Sequence, residues 1–378
     1  MNLHLSARSV EELSELTYEC ECGKRHGGFA RLRFGRLSAL SEEINVFVPL
    51  GKLVILASGE TFLRCGSVLR EALRRYKLLT ALDVTDVSSL FAFDDGIAGV
   101  VALGTEAAEL GRYFAGVRNL PCIAIPDVIC SERLLGETVD VPLGGKRVVY
   151  PAPPPRLIYV DVSLLCGAAE AYGTICSWAL SLLDLRFSPD DQPRCGELYE
   201  LALSALGGLG WYESDGVQKI FESDFRLAYC AREGLERGAV RVLAEETGSD
   251  LFALVKLAKV YELFFRKGYA RPYAAPDYVE RAERAGVRPH PLFCRADAFY
   301  ADFLRERRGY LAGVREILSR LPNMKRTYFQ LGGKGVRVEG EALRRAVDLL
   351  PEKCGKGPLV WMREFGLLEG LCKGRCKS

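Results

Sequence analysis

The sequence lacks both a long apolar run and an excess of charge of one sign. Its 51 Lys plus Arg nearly balance 49 Asp plus Glu in 378 residues, for a formal net charge of +2. Such a balance gives no electrostatic footprint for general binding to nucleic acid or to a membrane surface. No charge-poor apolar run reaches the ~18 residues that a spanning helix needs, and acidic residues stand in MNLHLSARSVEELSEL, where a signal peptide has basic and apolar regions. We therefore expect a cytoplasmic protein with no membrane span and no nucleic-acid partner.

Methionine is also scarce, with three residues, whereas there are 13 cysteines. The odd number and scattered spacing of the cysteines do not fit a small secreted disulfide scaffold. Little Met with plentiful Arg, Glu and Pro is typical of a thermophile-like sequence, and intracellular disulfides do occur in such proteins. The state of the cysteines stays open at this point.

Length and composition allow two domains with a large core, because 49% of the 378 residues are hydrophobic. Apolar strands alternate with helical patterns up to Asp161, and such strand–helix–strand units form one parallel sheet through right-handed crossovers. Beyond Asp161 the apolar stripes have helical spacing. We predict a Rossmann-like α/β nucleotide-binding domain over 1–161 and an all-helical domain over 162–378. The predicted strands are 52–57, 76–84, 97–103, 121–125 and 157–162; a hairpin covers 137–150, and helices cover 60–75, 163–185, 195–207, 216–247, 250–267, 277–285, 294–320, 340–350 and 357–369.

The stretch from Gly99 to Asp161 carries the strongest functional pattern. It reads as an apolar strand, a turn at Gly104, a helix, a second strand ending at Pro126, and a third strand. This order places a phosphate at a helix N-terminus, where unpaired N–H groups and the helix dipole favour an anion. Nucleotide binding is therefore the first functional hypothesis.

A compact cluster of soft metal ligands lies near the start of the chain, in CECGKRH. Cys20, Cys22 and His26 are spaced to hold part of a structural zinc site, with a fourth ligand from Cys372 or Cys376. Closed structural zinc sites need four ligands, so a surface turn with free thiols or a disulfide is the alternative.

The order of these features resembles the sn-glycerol-1-phosphate dehydrogenases, within the superfamily of iron-containing alcohol dehydrogenases and dehydroquinate synthases. The resemblance covers most of the chain, and it implies a dehydroquinate synthase-like architecture with a dinucleotide, NADP or NAD. The motifs that carry it are CECGKRH, KLVILASGETFLRCG, VVALGTEAAELGRYFA, IAIPDVICSE, APPPRLIYVDVSLL and CGAAEAYG, with looser matches at KRTYFQL and MREFGLLEGL.

The resemblance also implies which residues bind the cofactor. The glycine-rich loop of the family corresponds to Leu103-Gly104-Thr105-Glu106, which keeps one glycine of three. Ser58 stands where an aspartate usually meets the adenosine ribose, and this loss favours NADP or tolerance of both forms. The implied cofactor-binding residues are Ser58, Thr61, Gly104, Thr105, Glu109, Asp127 and Cys130.

The metal site implied by the family is altered. Family members hold a divalent cation, zinc or iron, with one aspartate and two histidines, and the metal polarises the substrate oxygen. Glu170 takes the aspartate position, but the only histidines are His4, His26 and His290. Glu170, Cys230 and Glu233 are the remaining candidate ligands. The alternative is a site that is empty of metal or is bridged by an Arg–carboxylate pair.

Two functions follow, and the sequence leaves both open. The first is an NAD(P)-dependent dehydrogenase acting on a polyol or glycerone-type phosphate, in which Glu170, Glu132 and Lys146 are the candidate catalytic residues. Lys146, Arg133 or Arg112 then contact the substrate anion. The second is a catalytically silent relative, a pseudoenzyme, that binds a nucleotide, a small phosphate or a protein partner. A homo-oligomer is compatible with either function.

Overall fold

The structure is a computed structural model, and it describes residues 8–19, 25–28, 30–186, 192–208, 210, 211, 213, 215–232, 238–267, 283–286, 291–336, 340–353 and 358. The chain forms two compact units. The first comprises Leu3–Ala171 and Glu213–Leu235, and the second comprises Tyr172–Tyr212 and Glu236–Ser378. The domain division at residue 161 stays a prediction. In the structure, the segment 213–235 belongs to the first unit.

The elements of the described residues alternate strand and helix in the first part of the chain and are helical afterwards. The strands are β1 (Thr17–Glu19), β2 (Arg25–Gly27), β3 (Arg31–Phe34), β4 (Lys52–Ala57), β5 (Lys77–Leu82), β6 (Ile97–Leu103), β7 (Cys122–Ile125), β8 (Thr138–Leu143), β9 (Lys146–Pro151) and β10 (Leu157–Val160). The helices are α1 (Val10–Glu15), α2 (Leu40–Ile44), α3 (Gly59–Ala72), α4 (Thr105–Arg118), α5 (Ser131–Leu135), α6 (Ala168–Arg186), α7 (Gln192–Gly207), α8 (Gly216–Arg232), α9 (Gly238–Thr247), α10 (Asp250–Lys267), α11 (Pro291–Gln330) and α12 (Gly340–Lys353).

A parallel sheet of six strands forms the centre of the first unit, as the sequence predicts. Its order is β3-β10-β7-β6-β4-β5, and every pair of neighbouring strands is parallel. The side chains of β6, β7 and β10 are almost all buried, because helices cover both faces of a parallel sheet. Since β5 lies on one side of β4 and β6 on the other, the winding reverses between β4 and β6.

The edge strand β3 is absent from the sequence-based prediction. Its segment RLRF buries only Leu32, so it carries no apolar run, and it joins the sheet beside β10. The guanidinium groups of Arg31 and Arg33 lie 3.1 and 2.6 Å from the carboxylate of Glu15, the last residue of α1. Charged side chains are typical of an edge strand, where they discourage pairing with another chain.

Two antiparallel hairpins stand apart from the main sheet. β8 and β9 pair around Gly144-Gly145 as predicted. β1 and β2 pair with Tyr18 opposite His26, and the sequence between these strands contains Cys20 and Cys22. Because both cysteines lie outside the described residues, as do Cys372 and Cys376, the structural zinc site stays a prediction.

The predicted helices of the second part of the chain need two corrections. The pattern over 216–247 predicts one helix, but the structure has α8 and α9 there; Gly238 has a φ of +50°, which interrupts a right-handed helix. The pattern over 294–320 marks only part of α11, which spans 40 residues and contains Pro322. The helix predicted at 357–369 lies outside the described residues except for position 358, and that at 277–285 is described only from 283. No helix among the described residues combines the length and apolarity required to cross a membrane.

An acidic side chain is buried among the helices of the second unit. The Tyr261 hydroxyl donates to Asp184 Oδ2 at 3.2 Å, and the Tyr310 hydroxyl donates to the Asp184 backbone carbonyl at 3.2 Å. Asp184 Oδ1 is buried and has no donor among the described residues. Burial raises the pKa of the Asp184 carboxyl well above its ordinary value, and the Tyr261 hydrogen bond only partly opposes this.

Replacing Asp184 with Asn tests the cost of this burial. Because the pKa of the carboxyl is higher in the folded chain than in the unfolded chain, native Asp184 loses stability as the pH rises above its unfolded value. We expect Asp184→Asn to raise the free energy of unfolding relative to the parent protein, by an amount that grows from pH 4 to pH 8 in urea titrations. Asp215→Asn is the control: the Lys219 hydrogen bond lowers the pKa of Asp215, so the stability difference between this variant and the parent protein develops at acidic pH and stays nearly constant from about pH 5 to pH 8. A pH-independent effect at Asp184 would contradict the buried carboxyl.

Candidate active site

The reversal of winding between β4 and β6 marks the edge of the sheet where ligands bind in open α/β folds. α3 begins at the carboxyl end of β4, and α4 begins at the carboxyl end of β6. Two helix N-termini therefore lie at the ends of neighbouring strands, each with N–H groups that need acceptors.

The N-terminus of α4 is capped by the side chain of Asp127, which comes from the loop after β7. Asp127 Oδ1 accepts a hydrogen bond from the Thr105 backbone N–H at 2.9 Å. Gly104 has a φ of +105°, a conformation that glycine adopts without strain, and a Cβ there would lie 3.1 Å from Asp127 Oδ2. The carboxylate therefore lies where the first turn of α4 would accept an anion.

The N-terminus of α3 is linked to the same carboxylate by a chain of hydroxyl groups. Ser58 Oγ accepts from the Thr61 backbone N–H at 3.1 Å and donates to Thr61 Oγ1 at 2.9 Å. Thr61 Oγ1 in turn donates to Asp127 Oδ2 at 3.0 Å. Asp127 thus connects the ends of β4, β6 and β7.

Strand-end aspartates recur across the sheet. Asp83, Asp127 and Asp161 each follow a strand directly or after one residue, and each precedes a valine. Asp83 Oδ1 accepts from Gly59 N–H at 2.9 Å at the start of α3, and Asp161 Oδ2 accepts from Leu37 N–H at 2.7 Å. Asp83 thus fixes the first turn of α3, which follows β4, and Asp127 fixes that of α4, which follows β6. Asp161 fixes the turn at Leu37, which follows β3. Asp83 and Asp161 were not identified as site residues from the sequence, although the repeated Asp-Val after an apolar strand was a signal for them.

The structure brings together five of the predicted cofactor-binding residues, and their role in binding stays a prediction. They are Ser58, Thr61, Gly104, Thr105 and Asp127. In this arrangement the Thr105 N–H already has an acceptor, and the Thr105 hydroxyl donates to the Val128 carbonyl at 3.1 Å.

Glu109 lies on α4 one helical turn after Thr105 and is 6% exposed. Its nearest cation is Arg133, with Nε 3.8 Å from Oε2, and Oε2 is buried without a hydrogen bond from the described residues. Burial raises the pKa of the Glu109 carboxyl, and the charge of Arg133 partly lowers it. These contacts place Glu109 in packing between α4 and the α5 loop.

Arg112 is fully buried, and it is not placed to contact a substrate anion as the sequence suggested. Its Nε donates to the Pro153 carbonyl at 3.0 Å, and its two terminal nitrogens donate to the carbonyls of Arg133, Ala152 and Gly136. Burial lowers the pKa of the guanidinium to about 10, so Arg112 remains charged near neutral pH. The side chain ties the loop after α5 to the segment before β10.

Cys130 lies where the loop after Asp127 enters α5. The carboxylate of Asp224, on α8, accepts from the Ser131 N–H at 2.7 Å, and Arg232 donates to the Leu135 carbonyl at the other end of α5. Burial, followed by the charge of Asp224, raises the pKa of Cys130 to about 11. The thiol is therefore protonated near neutral pH and is a poor metal ligand in this state.

The candidate catalytic and metal residues lie on different elements of the described part of the chain. Glu170 is exposed in the first turn of α6, Lys146 is exposed at the β8–β9 turn, and Glu132 is half-buried in α5. Cys230 is buried in α8, and Glu233 lies outside the described residues. Among the described residues no three His, Cys, Asp or Glu side chains are placed to hold a metal ion. The donors present there therefore do not fit a metal centre, and the set with Glu233 stays a prediction.

Arg64 is a cation that sequence analysis did not single out. It is exposed on α3, three residues after Thr61 and so on the same side of the helix. Its charge lowers the pKa of Cys166, which is raised overall by burial; Cys166 borders the Asp127 loop, since the Cys166 N–H donates to the Asp127 carbonyl at 2.8 Å. Arg64 is therefore a cation near the Asp127 loop.

Substituting Arg112 tests its structural role. Removing the guanidinium leaves buried carbonyls without donors, at about 1–3 kcal/mol for each unsatisfied group. We expect Arg112→Ala to lower the free energy of unfolding by roughly 3–5 kcal/mol. Arg112→Lys should lower it by a smaller amount, because the ammonium keeps a charged donor but cannot reproduce the guanidinium geometry. Urea unfolding measures both. Arg74→Ala, at an exposed ion pair with Glu71, is the control and should change stability by less than about 0.5 kcal/mol. An Arg112→Ala protein as stable as this control would disprove the role.

Solved structures with a similar fold include an alcohol dehydrogenase and two reductases. An iron-containing alcohol dehydrogenase from Thermococcus thioreducens is 15% identical, with 92% of this chain and 99% of that chain covered and a TM-score of 0.52. Sulfoacetaldehyde reductase from Bifidobacterium kashiwanohense, in complex with NAD+, is 13% identical, with 91% and 96% covered and a TM-score of 0.57. Maleylacetate reductase from Agrobacterium tumefaciens is 14% identical, with 91% and 96% covered and a TM-score of 0.55.

These likenesses confirm the predicted fold class. The chain has the fold of the iron-containing alcohol dehydrogenases, with a Rossmann-like parallel sheet and a helical C-terminal part. No protein-family model matches the sequence, and no curated protein matches it significantly. At 13–15% identity the likeness is one of fold.

Proposed function

We propose that this chain binds a nicotinamide dinucleotide across the carboxyl ends of β4 and β6 and acts as an oxidoreductase on a CH–OH group. The observation that carries the proposal is the cluster of Ser58, Thr61, Gly104 and Thr105 at the reversal of winding, where ligands bind in this type of sheet. A structure of the same fold, the sulfoacetaldehyde reductase, contains NAD+.

The residues present fit a dinucleotide in part. Gly104 and the first turn of α4 would hold the pyrophosphate, because the bare backbone permits close approach and the helix dipole favours the negative charge. The Thr61 hydroxyl would be a further donor once it leaves Asp127, whereas the Thr105 hydroxyl donates to the Val128 carbonyl. When bound, the nicotinamide would supply or accept the hydride. Asp127 opposes this fit, since it already occupies the Thr105 N–H.

Asp83 supports NAD rather than NADP as the dinucleotide. Ser58 replaces the aspartate that usually contacts the adenosine ribose in the family. Taken alone, this loss of a carboxylate favours a cofactor with a 2′-phosphate. However, the Asp83 carboxylate lies 2.9 Å from Gly59 N, at the end of the strand next to β4, and it is exposed. An acidic residue in this position of a dinucleotide fold accepts from the ribose 2′-hydroxyl and repels a 2′-phosphate.

For the substrate we propose the class that the sequence resemblance implies, a polyol or glycerone-type phosphate. Arg64 is the residue we expect to meet its phosphate, because this cation is exposed beside the Asp127 loop. Glu170 is the predicted catalytic residue with the best support. It is exposed in the first turn of α6, and burial, together with the charge of Glu170, raises the pKa of Cys166, which borders the Asp127 loop. Lys146 and Glu132 stay predictions.

The cofactor preference provides a direct test. We expect the parent protein to bind NADH more tightly than NADPH in fluorescence titrations. Asp83→Asn keeps an oxygen that can accept from Gly59 N–H but loses the charge, so it should strengthen NADPH binding about tenfold and change NADH binding much less. Asp86→Asn is the matched control: its carboxylate lies three residues away and is held by Ser88 and Gly144, so neither affinity should change.

Three outcomes would contradict the proposal at different points. No binding of either dinucleotide would exclude the dehydrogenase function. Binding of both with no effect of Asp83→Asn would exclude the ribose contact but keep the function. An equal effect of both substitutions would attribute the change to net charge rather than to Asp83.

The second candidate function is a catalytically silent relative that binds a nucleotide or a small phosphate. One observation favours it: among the described residues no three side chains are placed to hold a metal ion. Binding of NADH with no NADH-dependent reduction of glycerone phosphate, with or without added Zn²⁺ or Fe²⁺, would support this candidate over the first.

A further inference from the structure

The Asp127 side chain occupies the place where the proposed ligand has its most concentrated negative charge. One carboxylate oxygen accepts from the Thr105 N–H at 2.9 Å, and the other accepts from the Thr61 hydroxyl at 3.0 Å. Both donors belong to the pair of helix N-termini at the reversal of winding. A phosphate oxygen at this position would need the same two donors.

The Asp127 carboxylate also fills the space beside Gly104. A Cβ on Gly104 would lie 3.1 Å from Asp127 Oδ2 and 3.5 Å from Oδ1, so the carboxylate lies directly against the bare backbone of this glycine. That backbone is the surface on which a pyrophosphate would rest. In addition, two anions close together repel each other strongly in a site of low dielectric constant. Asp127 and a phosphate therefore cannot occupy the α4 N-terminus together.

The backbone of Asp127 is anchored independently of its side chain. The Asp127 carbonyl accepts from the Cys166 N–H at 2.8 Å and from the Cys166 thiol at 2.9 Å. Val128 and Cys166 form a parallel bridge beside this contact. Asp127 as a whole is only half-buried, so a rotation of its side chain can bring the carboxylate to solvent while the loop remains in place.

We propose that Asp127 is an intramolecular competitor for phosphate at the N-terminus of α4. The ligand-free protein is held in a self-inhibited state, and a pyrophosphate group binds only when the carboxylate leaves Thr105 and Thr61. This inference rests on the proposed function for its biological ligand, but the competition itself concerns any phosphate-bearing group at this site.

The test measures the affinity for inorganic pyrophosphate and for NADH of the full chain by calorimetry and fluorescence, at fixed ionic strength. Asp127→Asn removes the charge at nearly constant shape, and Asp127→Ala removes both the charge and the competing acceptor. We expect pyrophosphate to bind about tenfold more tightly to Asp127→Asn than to the parent protein, and more tightly still to Asp127→Ala. Asp161→Asn is the matched control, because Asp161 also follows a strand and accepts a backbone N–H, from Leu37; it should leave the affinity unchanged.

The results separate this inference from the proposed function. If both Asp127 variants bind pyrophosphate no more tightly than the parent protein, or if Asp161→Asn gives the same gain, the competitor role is wrong, whether or not NADH binds. If the Asp127 variants gain affinity for pyrophosphate but none binds NADH, the competition stands and the dinucleotide function fails. Melting temperatures of all four proteins show that the variants are folded; Asp127→Asn provides the answer should Asp127→Ala be unstable.

Discussion

The satisfaction of helix N-termini by acidic side chains is the constraint on which the first unit depends. A helix that begins at the end of a strand presents backbone N–H groups that have no partner within the helix, so each group needs an acceptor. Asp83 provides one for α3 and Asp127 provides one for α4. Because Asp127 also binds Thr61, this single carboxylate fixes the relative positions of α3, α4 and the loop after β7.

This solution stabilises the fold at the expense of the site. Many sheets of this type leave the N-terminus of a helix for a ligand phosphate, and the ligand then supplies the missing acceptor. Here the chain supplies its own acceptor, so the ligand-free protein loses nothing when no phosphate is present. A phosphate that bound at this helix N-terminus would have to replace an interaction that is already favourable. Stability of the empty state and affinity for an anion are therefore opposed at Asp127.

The fold could be predicted from the sequence because its signals are local. β4 and β6 are continuous apolar runs, and the hairpin turn at Gly144-Gly145 has its usual glycines, so their bounds agree with prediction within a residue or two. β3 was missed because a strand with two arginines has no apolar run. The pairing of Asp127 with Thr105 and Thr61 could not be predicted, since it joins residues 22 and 66 positions apart that only the sheet order brings together.

Arg112 limits how the length of the segment between β7 and β10 can vary. Its guanidinium donates hydrogen bonds to four backbone carbonyls, in residues 133–136 and 152–153. Because these contacts involve only the backbone, the side chains at the four positions matter little to them. Sequence drift in these two segments is therefore permitted, whereas a change in their length is not. The Gly144-Gly145 turn lies between them and is exposed, with open space around both glycines. It is the natural position for an inserted peptide or a fluorescent label that leaves the α/β unit intact.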